Sequence, residues 1–127
     1  MKLSLYIDSE DFACKGMACC GNSFPADREL LQALDELQAL VCLLPKYEDA
    51  QIKINSGFRC RTHNRAVNGS FSSFHTRGMA ADIRVDNMPP HVLACLAIQI
   101  ASLSSGGIGV YSTFIHVDVR RTGPARW

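Results

Sequence analysis

The spacing of hydrophobic residues predicts one amphipathic helix in the first half of the chain. Five apolar residues recur at alternating steps of four and three, which places them on one helical face: Leu30, Leu34, Leu37, Val41 and Leu44. Asp27 and Glu29 favour the first turn because they meet the positive end of the helix dipole. Pro45 follows the last turn. We therefore predict a core-packing helix from Asp27 to Leu44.

Alternation of apolar and polar residues predicts strands further along the chain. Ile52 to Phe58 and Ala80 to Val85 each indicate one strand. Ile108 to Ser112 and Phe114 to Val119 indicate two more. Because their connection is very short, we expect these last two to form an antiparallel hairpin.

Two shorter helices complete the predicted elements. One covers Arg61 to Val67, and the other begins at Pro89-Pro90, since proline is tolerated in a first helical turn, and ends before Ser104 to Gly107. We expect residues 1–25 to be irregular and residues 70–73 to form a serine-rich loop. Mixed helices and strands on a chain of 127 residues predict one α+β domain, residues 1–127.

Composition and charge narrow the class of protein. Hydrophobic residues make up 47% of the chain and charged residues 20%, as in soluble globular proteins. A net charge of +1 argues against nucleic acid as the partner, because phosphate binding needs a surplus of Lys and Arg. The sequence has no apolar stretch that could insert in a membrane and no secretory signal. We expect a protein that is cytoplasmic at synthesis.

Six cysteines are many for a chain of this size, and their state is left open by the sequence. Cys42 and Cys95 lie in apolar helical patterns, which favours buried free thiols. The segment that contains Cys14, Cys19 and Cys20 could be half of a structural zinc site, half of a disulfide pair or a tight loop. Because the chain has no CxxC pair, a zinc ribbon is the weaker of these interpretations. The missing secretory signal favours reduced thiols.

Three polar residues, His75, Asp82 and His116, could converge on a metal ion. Asp82 lies on the polar face of its predicted strand, and His116 and Asp118 share the polar face of another. If the two strands share a sheet, Asp82 and His116 meet there, with His75 arriving from a loop. Two imidazoles and one carboxylate fill three corners of a zinc tetrahedron and leave the fourth for water, the pattern of a catalytic site. Such a zinc would lower the pKa of that water and polarise a substrate carbonyl.

Each of these residues also has a simpler interpretation. Asp82 could pair with Arg84 or cap a turn. A single histidine is more often a surface or core residue than a ligand, and we assign His63 and His91 to that class.

Several motifs resemble a known enzyme family. They are Ser56-Gly57-Phe58-Arg59, Asn64, Gly69, the run from Ser73 to Asp82, and Ile115-His116-Val117-Asp118. They resemble the zinc D-alanyl-D-alanine carboxypeptidases and L-alanyl-D-glutamate endopeptidases of the M15 peptidase family, whose fold the hedgehog signalling domain shares. Small phage and prophage members are the most similar, and the resemblance runs from about Asn55 to Trp127. It implies a small antiparallel sheet with helices packed on one side.

The resemblance also implies an activity and a site. His75, Asp82 and His116 would be the zinc ligands, and Arg59 and Ser73 would bind the substrate's carboxylate or orient the site. Arg59 could equally form an ordinary surface ion pair. The implied activity is hydrolysis of peptide bonds in peptidoglycan stem peptides, as a carboxypeptidase or an endopeptidase. We expect a monomer, such as a phage endolysin, that acts on the cell wall after release.

The chain departs from that family at the proton acceptor. Many relatives place an acidic residue three positions before the last histidine ligand, where this chain has Thr113. Asp118 could replace it as the catalytic base, or could instead fix the ring of a histidine ligand. Tyr111 could stabilise a developing oxyanion. Thr113 also supports an alternative function, a catalytically inactive zinc-holding structural or peptidoglycan-binding module.

Overall fold

The computed structural model describes residues 1–17, 19–70 and 72–127, and the following elements lie within these ranges. The helices are α1 (Ser9–Phe12), α2 (Arg28–Cys42), α3 (Arg61–Ala66), α4 (Pro90–Ala97) and α5 (Ala101–Ser104), with a 3-10 helix at Phe74–Arg77. The strands are β1 (Lys53–Ser56), β2 (Ala80–Arg84), β3 (Gly107–Val110), β4 (Ile115–Asp118) and β5 (Ala125–Arg126). The predicted loop at residues 70–73 includes Phe71, which lies outside the described residues.

The strands form one sheet in the order β1-β2-β4-β3-β5. β1, β2, β4 and β3 pair antiparallel in that order, which confirms the α+β class and the predicted β3–β4 hairpin. The antiparallel description needs one addition, because β5 pairs with β3 in parallel. A strand of two residues is too short to show alternation, so the sequence pattern could not reveal it.

The long helix α2 forms where the periodicity predicts it. The carboxylate of Asp27 accepts hydrogen bonds from the backbone N–H groups of Glu29 and Leu30 and so caps its first turn. The predicted apolar face is buried from Leu30 to Val41. It packs with α4, α5 and the apolar side of the sheet in one hydrophobic core.

One expectation about secondary structure and one about burial were wrong. The N-terminal segment contains α1, which the sequence did not indicate because only one large apolar side chain, Phe12, is fully buried in its four residues. Cys95 is exposed rather than buried, because α4 turns Leu93 and Ala97 towards the core. Cys42 is half-buried beside Gln38.

The sheet separates the core from a polar face. Ile83, Ile115 and Val117 are fully buried on the side covered by α2 and α4. Asp82 and His116 alternate with them and therefore point to the other side. Within the described ranges, no helix combines the length and apolarity that crossing a bilayer requires.

Candidate metal centre

The register of the sheet brings two of the predicted ligands side by side. Asp82 of β2 and His116 of β4 are directly paired across the two antiparallel strands. His116 Nδ1 lies 3.1 Å from Asp82 Oδ1, and His75 Nε2 lies 3.2 Å from the same oxygen. One ligand atom from each of the three residues lies within 4.8 Å of the others. The structure therefore brings the three predicted ligand residues together.

A tight loop places His75 in the group. The hydroxyl of Ser73 accepts a hydrogen bond from the backbone N–H of His75 and caps the 3-10 helix. Gly78 ends that helix in the left-handed conformation, with a φ of 69°, and a Cβ there would lie 2.3 Å from the carbonyl oxygen of Pro25. The backbone N–H of Arg59 donates to the carbonyl of His75 at 3.0 Å. Ser73 therefore holds the loop that carries His75, and its role in orienting a site stays a prediction.

The hydrogen bond at Nδ1 of His75 determines the tautomer of its ring. His75 Nδ1 lies 2.8 Å from the carbonyl oxygen of Gly57. A carbonyl oxygen can only accept, so Nδ1 carries the hydrogen. In the neutral ring, the lone pair is then on Nε2, which faces Asp82 Oδ1.

The ring of His116 is held in the opposite tautomer. Its Nε2 lies 2.7 Å from Asp118 Oδ2. Burial would raise the pKa of Asp118, but hydrogen bonds from His116 and Arg120 outweigh that effect and hold it well below its usual value. The ionised carboxylate accepts the Nε2–H, which leaves the lone pair on Nδ1, again facing Asp82 Oδ1.

Three electron-pair donors thus converge on one point. A carboxylate oxygen facing two imidazole lone pairs is repulsive unless a cation or a proton lies between them. Burial lowers the pKa of His116, but hydrogen bonds to Asp118 and Asp82 outweigh this effect and raise the pKa above its usual value. Burial would also raise the pKa of Asp82, yet the two histidines keep it well below its usual value.

The same donors fit zinc in kind and in spacing. Zinc takes nitrogen and oxygen ligands at about 2.0–2.1 Å, so the ligands of a tetrahedral site lie about 3.3 Å apart. The observed separations of 3.1 and 3.2 Å from Asp82 Oδ1 are close to that value. Each imidazole also has a partner on its other nitrogen, as metal-binding histidines almost always do.

Asp118 is enclosed by hydrogen-bond donors. Its side chain is fully buried, and its oxygens accept from the backbone N–H groups of Gly107 and Arg120, from the Arg120 guanidinium and from His116. A Cβ at Gly107 would lie 2.3 Å from Asp118 Oδ2, so glycine leaves room for the carboxylate. These contacts suit the second role left open by the sequence, fixing the His116 ring. Catalysis by Asp118 as a general base stays a prediction.

The three predicted ligand residues line a cavity of about 570 Å³. Its other described walls include Arg59, Ser73, Arg120 and four aromatic side chains, which are Phe74, Tyr111, Phe114 and Trp127. Among the described lining residues, Asp82 is the only carboxylate. Thr113 is exposed and lies outside the lining. A substrate of several residues could therefore reach the three ligands from one side.

Arg59 has unused donors beside the centre. Burial lowers the pKa of its guanidinium, an effect opposed by the nearby charge of Asp82. Its Nε is buried and has no hydrogen-bond partner among the described residues, and its Nη2 is 3.5 Å from the hydroxyl of Ser73. Since a buried donor without an acceptor is costly, the position is suited to a group that enters the cavity. The predicted role of Arg59 in binding a carboxylate is compatible with these contacts.

An aromatic wall beside His116 was not predicted. The Trp127 ring lies 5.0 Å from the His116 ring, and its Nε1 donates to the hydroxyl of Tyr111 at 2.7 Å. Tyr111 stacks on Phe114 with ring centres 4.6 Å apart. A Cβ at Gly109 would lie 2.3 Å from the Trp127 ring, so glycine allows the indole to pack there. A single tryptophan outside any periodic element gives no sequence signal for this contact.

The chain matches a family of known proteins. A family model described as Peptidase M15 matches residues 7–118. The matched range contains Arg59, His75, Asp82 and His116, whereas Arg120 and Trp127 lie beyond it. No curated protein and no solved structure matches the chain.

Proposed function

Because the chain belongs to the Peptidase M15 family, we propose that it is a zinc-dependent peptidase that hydrolyses peptide bonds in the stem peptides of bacterial peptidoglycan. The observation that carries this proposal is the convergence of His75 Nε2, His116 Nδ1 and Asp82 Oδ1 at the wall of a cavity. Such a protein would act on the cell wall after release, as a phage endolysin does, as a carboxypeptidase or an endopeptidase.

The proposed zinc ligands are His75, Asp82 and His116. Three protein ligands leave one position for water or substrate, which is typical of a catalytic zinc site. Zinc held there supplies polarisation of the substrate carbonyl and a lower pKa for a water molecule. Gly57 and Asp118 hold the two imidazole rings so that their lone pairs stay directed at the cavity side of the sheet.

Arg59 is the proposed anchor for the substrate. Its guanidinium lines the cavity, and a guanidinium can donate two parallel hydrogen bonds to one carboxylate. Peptidoglycan stem peptides carry free carboxylates at their D-amino acids, so this contact would fix a stem peptide relative to the ligands. Tyr111 lies on the same cavity and can donate its O–H to the oxygen of the reacting carbonyl.

A second function is favoured by the position of the acids. Thr113 occupies the place where many relatives carry an acid, and Asp118 lies behind His116 with both oxygens already accepting hydrogen bonds. With no second carboxylate among the described lining residues, proton transfer from water lacks an obvious acceptor. The alternative is therefore a zinc-holding module that binds peptidoglycan without cleaving it.

Digestion of purified peptidoglycan separates the two functions. The zinc-loaded protein is incubated with the polymer, and the stem peptides are analysed by mass spectrometry for shortened peptides and new free amines. We expect cleavage by the wild type and by the control His91→Ala, whose histidine lies outside the lining of this cavity. We expect cleavage at background level in His116→Ala.

The zinc content of the same samples completes the test. We expect His116→Ala to hold one zinc less than the wild type. Intact stem peptides with that zinc present in the wild type would support the binding module. Equal zinc contents of the wild type and a His75→Ala/His116→Ala variant would contradict both functions.

A further inference from the structure

A second group of metal-binding side chains lies apart from the histidines. Cys14, Cys19, Cys20 and Cys60 bring their four sulfur atoms within 4.8 Å of one another. The first three lie in the segment between α1 and α2, and Cys60 precedes α3. The described residues between Ala13 and Asp27 form neither helix nor strand. The cluster therefore connects the irregular segment between α1 and α2 to the stretch of chain between β1 and α3.

Three of the sulfur–sulfur distances are those expected of a tetrahedral site, and all four sulfurs lie within 4.8 Å of one another. The distance is 3.8 Å from Cys14 Sγ to Cys19 Sγ, 3.8 Å from Cys14 Sγ to Cys60 Sγ, and 3.9 Å from Cys19 Sγ to Cys20 Sγ. Zinc binds thiolates at about 2.3 Å, which puts the sulfurs of a tetrahedral four-thiolate site about 3.8 Å apart. Bonded sulfurs of a disulfide would be about 2.0 Å apart. All four cysteines are free thiols in the structure.

The backbone around the cluster holds the thiols in place. The N–H of Cys14 donates to the carbonyl of Ser23 at 2.8 Å, and the Ser23 hydroxyl donates to the carbonyl of Cys20 at 2.8 Å. The N–H of His63 donates to Cys60 Sγ at 3.4 Å, so this sulfur also caps the first turn of α3. A Cβ at Gly16 would lie 2.7 Å from Cys19 Sγ, so glycine makes room for that sulfur.

Ordinary core packing does not account for this arrangement. Cys14 is buried, but Cys19, Cys20 and Cys60 are all partly exposed. The hydrophobic free energy gained by bringing them together is therefore small. The two other cysteines of the chain, Cys42 and Cys95, lie outside the cluster.

From this geometry we infer a second, structural zinc site, in which Cys14, Cys19, Cys20 and Cys60 bind one zinc ion as thiolates. Four protein ligands fill the tetrahedron and leave no position for water, which is the pattern of a structural rather than a catalytic site. Binding releases the thiol protons and links the segment between α1 and α2 to the chain beyond β1. The inference depends on the cysteines alone and stands apart from the proposed peptidase activity.

The site also supports the neighbouring cavity. Cys60 directly follows Arg59, and the chain just before it carries Gly57, whose carbonyl holds the His75 ring. The N–H of Phe58 donates to the carbonyl of Phe12 at 2.9 Å, so the two segments already meet there. A zinc ion between Cys60 and the N-terminal segment would fix this wall of the cavity.

The first experiment removes the histidine centre and leaves the cysteines intact. The His75→Ala/His116→Ala variant is purified from cells under reducing conditions, and its zinc is measured by mass spectrometry and X-ray absorption. We expect one zinc per chain, bound to four sulfurs at about 2.3 Å. A variant that holds no zinc while its thiols remain reactive would overturn the inference, as would iron in place of zinc.

The second experiment compares two cysteine pairs in the otherwise unchanged protein. We expect Cys14→Ser/Cys60→Ser to hold one zinc fewer than the wild type, with a lower melting temperature. The matched control Cys42→Ser/Cys95→Ser should hold as much zinc as the wild type. Equal zinc in both variants, or an intact mass that shows disulfides among the four cysteines, would contradict the site. If Cys14→Ser/Cys60→Ser fails to fold, the first experiment decides alone.

The two experiments also separate this inference from the proposed function. Loss of zinc only in the cysteine variant would leave the four-thiolate site standing and reject the histidine centre. Loss of zinc only in the histidine variant would do the reverse.

Discussion

The histidine centre and the cysteine cluster hold similar numbers of ligand atoms in very different surroundings. The centre combines two imidazoles and a carboxylate on the face of the sheet, and one side opens onto a cavity of about 570 Å³. The cluster combines four sulfurs from an irregular segment and a helix start, with three sulfur–sulfur distances of 3.8, 3.8 and 3.9 Å. Three protein ligands beside a cavity leave one coordination position open and are typical of a catalytic site, whereas four protein ligands are typical of a structural site.

The two regions also differ in what holds their ligands. Strand register fixes Asp82 opposite His116, and a carbonyl and a buried carboxylate fix the two rings. The described residues of the cysteine segment have no strand pairing, so a bound ion would contribute most of the order there. Zinc should therefore be needed for activity in the first region and for stability in the second.

Chelation should give the largest difference between the regions. A strong chelator should remove zinc first from the open histidine centre, because water and chelator can occupy its vacant position. We expect peptidoglycan cleavage to fall to background while the melting temperature changes little, and added zinc should restore cleavage. A thiol-binding mercurial should then release the second zinc and lower the melting temperature. Cleavage that survives complete chelation would contradict the account.

Asp118→Asn should give the next largest effect. Loss of the carboxylate behind His116 should weaken zinc binding at the centre by about 10–100-fold, because partners of ligating histidines have effects of this size. Competition with a chelating dye measures this affinity. The control is Asp86→Asn, which removes an exposed carboxylate. Unchanged zinc affinity with a large loss of kcat would instead identify Asp118 as the general base.

Arg59→Lys should have a smaller effect, on substrate binding. Lysine keeps the charge but cannot donate two parallel hydrogen bonds, and loss of one charged hydrogen bond corresponds to about a tenfold rise in KM. Kinetics on stem peptides with a free or an amidated C-terminus measure it, with Arg84→Lys as the control. If Arg59 binds the terminal carboxylate, amidation should raise KM for the wild type much more than for the variant. Equal sensitivity to amidation would assign Arg59 another role.

The pH dependence of the zinc-free protein should show the smallest effect. The pKa of His116 is raised above its usual 6.5, so its contribution to stability is fully present below about pH 6.5 and is lost as the pH rises through the folded-state value. The melting temperature of the chelated wild type should therefore fall above about pH 6.5. It should fall less in chelated His116→Ala, and parallel curves for the two proteins would contradict this assignment.

The low pKa values of Asp82 and Asp118 act at the other end of the scale. Both carboxylates stabilise the fold above their unfolded value of about 3.8, and this contribution is lost as the pH falls towards the lower folded-state values. The free energy of unfolding of the zinc-free protein should therefore be greatest between about pH 3.8, the unfolded value of the two carboxylates, and about pH 6.5, above which the contribution of His116 is lost.

Much of the fold and the candidate centre could be predicted from local patterns. The apolar face of α2 follows from a helical period, and strand alternation put Asp82 and His116 on polar faces. That the two strands are neighbours was a condition of the prediction rather than a result of it, since sequence alternation fixes a face but not a partner. The structure supplies the partner through the direct pairing of Asp82 with His116.

The remaining features depend on contacts between distant or unpatterned residues. Cys60 meets Cys14 across 46 positions, so the segment around Cys14 alone gave three of the four cysteines and not the fourth. No sequence pattern indicated that the Arg120 guanidinium binds Asp118. Trp127 packs against His116, although no hydrophobic periodicity near the end of the chain predicts this contact.

Anomalous diffraction at the zinc edge from crystals of the wild-type protein tests the central claim most directly. The account predicts a peak bounded by His75 Nε2, Asp82 Oδ1 and His116 Nδ1, with density for water or substrate on the cavity side. It predicts a second peak among the sulfurs of Cys14, Cys19, Cys20 and Cys60. Zinc-saturated crystals with no anomalous peak between the two histidines and Asp82 would contradict the account.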